Sequence, residues 1–79
     1  MPHIDLAYFD RPLSDAQRAR LDAALTQALC ESLDVPISAI SIALEPVAPE
    51  DWNAKVALPR IVASADRLLR RPCYTLPEV

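Results

Sequence analysis

Glycine is absent from all 79 residues of the chain, where ordinary usage of roughly 7% would supply five or six. That absence excludes two large classes of function. The phosphate-cradling P-loop and the dinucleotide fingerprint both need glycine so that the backbone can approach a phosphate. Histidine is nearly absent too. His3 stands alone, and the two cysteines, Cys30 and Cys73, are far apart, so no spacing of the CxxC type offers a zinc site. Basic charge is also short: Lys and Arg number 8 against 11 Asp and Glu, for a net charge of −3. A nucleic-acid binder needs a basic face to displace phosphate counterions, and this chain has no surplus to build one.

No apolar run reaches the length of a membrane span, and no secretory leader is visible. With two cysteines, this points to a reduced cytoplasmic setting and free thiols. Cys30 falls on the apolar side of a helical pattern and is expected in the core.

What is present is enough for one small domain spanning residues 1–79. Hydrophobic residues make up 52% and charged residues 24%, sufficient to fold. A chain of this size nevertheless buries only about 60% of its unfolded surface and is marginal alone. Self-association is expected on that ground.

From His3 to Phe9, Ile4, Leu6 and Tyr8 alternate with Asp5 and Ala7, the period of a β-strand. A DRPL turn follows. Ser14 with Gln17 three residues later is a capping-box signature. Leu21, Ala24, Leu25, Ala28, Leu29 and Leu33 continue at helical spacing, and the helix should stop near Leu33, because the residue before Pro36 is pushed out of the helical region. Ile40, Ile42 and Leu44 then alternate with Ser41, Ala43 and Glu45 in a second strand. A helix of this length between two strands predicts a right-handed βαβ crossover with parallel strands.

The segment Pro49 to Lys55 reads as a short helical turn or a loop. Ile61, Val62, Ala65, Leu68 and Leu69 predict a second helix from about Ala57 to Arg71, terminated by Pro72. Arg67, Arg70 and Arg71 would then complement its carbonyl end. Two strands and two helices cannot hide their own edges and faces, so a two-fold dimer with a four-stranded sheet, or a ring of dimers, is expected.

Nucleophilic triads of the usual kind lack a plausible orienting acid. The unusual group is Pro2, directly behind the initiator methionine. Once Met1 is trimmed, Pro2 is a secondary amine at the head of a strand, able to act as a general base if burial or a nearby cation lowers its pKa toward neutrality. Alone, Pro2 also reads as an ordinary strand opener, Arg11 as a turn residue, and Trp52 as a core or interface anchor.

The order of several motifs adds to this reading. PHID at residues 2–5, the turn with Arg11, SDAQ at the helix start, AISIAL at 39–44, PEDW at 49–52 and RRPCY at 70–74 cover nearly the whole chain. Together they resemble the 4-oxalocrotonate tautomerase family, most closely its dimeric phenylpyruvate tautomerase type. The resemblance implies an α/β fold built on a βαβ unit and a cofactor-independent isomerase acting on a small 2-oxo acid or its enol. It implies Pro2 as the general base. Arg11, displaced by about one position, is the nearest match to the arginine that binds substrate carboxylate, and Trp52 matches the aromatic wall of the pocket.

Ser41 departs from the pattern. The hexameric founding member has an arginine early in the second strand that polarises the 2-oxo group. A serine there fits a substrate with one carboxylate and an apolar body, such as phenylenolpyruvate, with Ser41 as a neutral and weaker hydrogen-bond donor. Lys55 and His3 are substitutes to weigh, each also explicable as a solvated side chain. The competing reading is a non-enzymatic dimeric module that keeps the scaffold and binds a metabolite or a protein.

Overall fold

A computed structural model describes residues 1–78. Strand β1 spans His3–Phe9 and helix α1 spans Asp15–Leu33. A single 3-10 turn at Ile37–Ala39 leads into strand β2, Ser41–Val47. The strands are parallel and in register from His3 beside Ser41 to Phe9 beside Val47. The fold is therefore the βαβ unit that the hydrophobic periods predict, followed by a further helix.

Local chemistry sets these boundaries. The Ser14 hydroxyl accepts the Gln17 amide at 3.1 Å, and the Gln17 side chain accepts the Ser14 amide at 2.8 Å. Two of the amide donors at the start of α1 are thus satisfied reciprocally. At the other end Asp34 turns into the left-handed region, with φ 56°. It is the only non-glycine residue with positive φ among the described residues, and in a chain without glycine an aspartate is among the residues that tolerate it best.

The second helix differs from its sequence-based expectation. It runs Asn53–Val62, not Ala57 to Arg71, and its hydrogen bonds follow the wide i to i+5 pattern of a π-helix. Pro59 lies inside it. Proline has no amide to donate, and its ring collides with the carbonyl four residues back in an α-helix; a wider turn relieves that collision. The apolar period beyond Val62 does not sustain a helix, because Leu69 finds nothing to pack against and is fully exposed. Arg67 instead ends a 3-10 turn at Ala65–Arg67 and donates to the Ser64 hydroxyl at 3.1 Å, while Arg70 and Arg71 lie in irregular chain. None of the three caps the second helix.

The two faces of the sheet are covered differently. Ile40, Ile42 and Leu44 face α1 across a groove of about 420 Å³, also lined by Leu21, Thr26 and Ile37. On the opposite face the π-helix approaches the carboxyl ends of the strands. There Arg60 donates to Glu45 at 2.7 Å, and Trp52 meets Phe9. The amino-terminal half of this second face, with His3, Asp5, Ser41 and Ala43, is open.

The core is correspondingly thin. Among the described residues only Val47, Val56 and Ala57 are buried, and α1 contributes no buried residue. Cys30, expected in the core, is half-buried along the same helix, and Cys73 is exposed; both are free thiols. The accessible surface is 6168 Å², against about 4,700 Å² for a monomeric protein of this mass. The radius of gyration, 14.3 Å, likewise exceeds the roughly 12 Å of a compact domain of this length.

Candidate functional site

The residues of interest fall into two groups, one at each end of the sheet. At the heads of the strands, Pro2 is half-buried and its carbonyl accepts the Ser41 amide at 3.2 Å. This bond extends the parallel ladder by one step. It fixes Pro2 beside Ser41, while Met1 projects freely and is 99% exposed. His3, next along β1, brings Nδ1 to 2.6 Å from Ser41 Oγ, and its Nε2 lies 3.4 Å from Asp5 Oδ1.

At the far end, the Phe9 and Trp52 rings meet edge to face with centroids 5.0 Å apart. The Asp10 amide donates to the Val47 carbonyl at 2.9 Å, closing the ladder just before Arg11, which is exposed in the turn. Trp52 lies between the 3-10 turn Pro49–Asp51 and the π-helix. Lys55, weighed as a substitute cation, instead sits 3.6 Å from Asp51.

Seven strand residues at about 3.3 Å each separate the two groups by about 23 Å. Within one subunit, then, Pro2 and Ser41 are together, Trp52 and Arg11 lie near the opposite end, and the chain does not reverse to join them. None of Pro2, Arg11 and Trp52 lines the groove beside α1.

Two neighbours escaped the sequence reading. Phe9 enters the sequence reading only as a strand residue, and Asp5 only as a residue of the strand face opposite Ile4, Leu6 and Tyr8. A signal for Asp5 was available, since alternation places residues 3 and 5 on one face and a parallel crossover brings the head of β2 beside them. No helix among the described residues is long and apolar enough to cross a membrane.

Comparison with known proteins agrees with this architecture. Residues 2–59 match the family model described as tautomerase enzyme. The chain is 42% identical over 76 residues to Tautomerase PptA of Cronobacter sakazakii, covering 96% of this chain and 100% of the relative. Over the same shares of each chain it is 37% identical to Tautomerase PptA of Escherichia coli O139:H28 and 34% identical to that of Enterobacter sp. strain 638. With a βαβ unit led by Pro2 and relatives matched along their full length, this chain belongs to the tautomerase family and is an isomerase of the tautomerase type.

Proposed function

We propose that the enzyme interconverts the enol and keto forms of a small 2-oxo acid of the phenylpyruvate kind, with the Pro2 amine as general base. The observation that carries this reading is the setting of Pro2. Its carbonyl is pinned to β2, its ring is half-buried, and the residue directly ahead of it is an exposed methionine. Removal of Met1 converts an amide nitrogen into a secondary amine held in a fixed place.

In the ketonising direction the amine takes the proton of the enol hydroxyl. The oxygen electron pair forms the carbonyl, the carbon–carbon double bond opens, and C3 takes the proton from the resulting ammonium. The base is regenerated in each turnover. The Arg11 guanidinium is suited to pair with the substrate carboxylate through two parallel hydrogen bonds. Trp52 offers an apolar wall to an aryl group, and Ser41 a hydrogen bond to the 2-oxo oxygen.

Because Arg11 and Trp52 stand about 23 Å from the Pro2 of their own subunit, they serve the Pro2 of a second one. A two-fold axis perpendicular to the strands sets two copies antiparallel, so that the strand heads of one copy meet the strand tails of the other. The surface supports this arrangement. The subunit exposes roughly 1,400 Å² more than a monomer of its mass, ample for the roughly 800 Å² that each partner commonly gives to a stable interface. We assign the active form as this homodimer, with neither metal nor organic cofactor in its chemistry, and place it in the cytoplasm, where Cys30 and Cys73 stay reduced.

The test is the ketonisation rate of phenylenolpyruvate by the Pro2→Ala variant. A positioned base contributes about 10²- to 10⁴-fold, so kcat should fall within that range. A rate equal to the wild type removes Pro2 from the mechanism.

A further inference from the structure

Asp5, His3 and Ser41 line up across the open half of the sheet, immediately beside Pro2. The parallel register sets His3 directly opposite Ser41, which permits the 2.6 Å contact between Nδ1 and Oγ. Asp5, two residues along the same strand and therefore on the same face, stands 3.4 Å from Nε2. On this face Glu45 and Arg60 are paired with each other at 2.7 Å.

We propose that these three residues form a relay that supplies the electrophilic donor of the site: Ser41 touches the substrate oxygen, His3 positions it through their hydrogen bond, and Asp5 stands beside His3 as a neighbouring carboxylate. The proposal rests on the reading of Pro2 as the base. The direction of the Ser41 hydroxyl follows from the protons on His3. With the proton on Nε2, Nδ1 accepts the Ser41 hydroxyl proton and Oγ presents only lone pairs to the site. With the proton on Nδ1, Nδ1 donates to Oγ and the Ser41 proton is free to turn outward.

A substrate oxygen gaining negative charge needs a donor, and its arrival favours the arrangement in which the Ser41 proton points to it. Binding thus selects the donating state. The relay replaces a fixed cation with a neutral hydroxyl oriented by an imidazole one hydrogen bond away. It meets an oxygen well without holding a second carboxylate, which narrows the substrate to monocarboxylates.

A donor aimed at a buried oxyanion contributes about 10²- to 10³-fold to kcat. Here His3 and Asp5 are half or more exposed, so the effect is smaller, about tenfold. The experiment measures kcat and KM for phenylenolpyruvate in Ser41→Ala, His3→Phe, the double variant, Ser41→Thr, His3→Asn and Pro2→Ala, each checked for folding by circular dichroism. Ser41→Ala and His3→Phe should each lose about tenfold in kcat with KM changed less than about twofold, and the double variant should lose no more than either single one. Ser41→Thr keeps the hydroxyl, and His3→Asn places an amide donor near Nδ1; both should restore most of the rate.

Wild-type kcat in Ser41→Ala, or losses that multiply in the double variant, would overturn the relay. If Pro2→Ala is inactive while Ser41→Ala is unaffected, the relay alone fails; if Pro2→Ala is fully active, the base reading fails and takes the relay with it. Should His3→Phe not fold, Ser41→Ala against Ser41→Thr decides.

Discussion

Phe9 and Trp52 meet edge to face, their ring planes at 81° and centroids 5.0 Å apart, so the last residue of β1 holds the indole at the carboxyl end of the sheet. Such a pair contributes about 0.5–1.5 kcal/mol beyond the area it buries. Phe9→Leu should lower stability by about 1 kcal/mol, a fall of roughly 4–8 °C in Tm for a domain of this size. If the indole also walls the substrate site, Trp52→Ala should reduce kcat/KM for an aryl enol about tenfold while a short aliphatic enol is nearly unaffected. Equal losses on both substrates would leave the indole a purely structural role.

The amino terminus offers a direct chemical check. Mature protein should have the mass of residues 2–79. A form extended by an uncleavable residue ahead of Pro2 should fold with an unchanged circular dichroism spectrum and lose the tautomerase rate. Activity that survives the extension would show that an amide at Pro2 suffices, which is incompatible with a base at that nitrogen.

The proposed sharing of the site between two subunits predicts complementation. Pro2→Ala and Arg11→Ala homodimers should each be impaired. When the two are unfolded together and refolded at equal amounts, half the dimers are mixed, and each mixed dimer holds one intact site and one doubly damaged site. Activity should therefore rise to about a quarter of the wild type. No rise on mixing would place base and anchor in the same subunit.

Helix α1 supplies a stability test away from the chemistry. Ser14→Ala removes one half of the capping box, leaves the Gln17 amide without its acceptor, and should cost about 1 kcal/mol. Asp34→Ile forces a β-branched residue into the left-handed region and should cost about 1–2 kcal/mol. Thermal melts at fixed protein concentration measure both.

The first half of the fold was legible because its signals are local. The alternation from Ile4 to Tyr8, the Ser14 and Gln17 box, and Pro36 behind the helix each act within a few residues, and β1, α1 and β2 fall where they direct. The carboxyl-terminal part was not. Ile61, Val62, Ala65, Leu68 and Leu69 carry a helical period, but a period forms a helix only when something covers its apolar face. In the single subunit nothing covers Leu69.

The i to i+5 ladder around Pro59 has no periodic signature at all. The site was legible as residue types and not as neighbours. That Pro2 lies beside Ser41 follows from strand register, and that Arg11 lies far from both follows from the straightness of β1. Neither distance is written in the order of the motifs.

The length of β1 has a consequence for how the enzyme is used. On the proposed reading a rigid ribbon carries Pro2 as base at one tip and Arg11 as carboxylate anchor near the other, so an isolated subunit should be inert however well folded. Specific activity should then decline on dilution along the dissociation curve of the pair, while excess substrate, by bridging the two copies, holds them together. Turnover itself becomes the gauge of assembly.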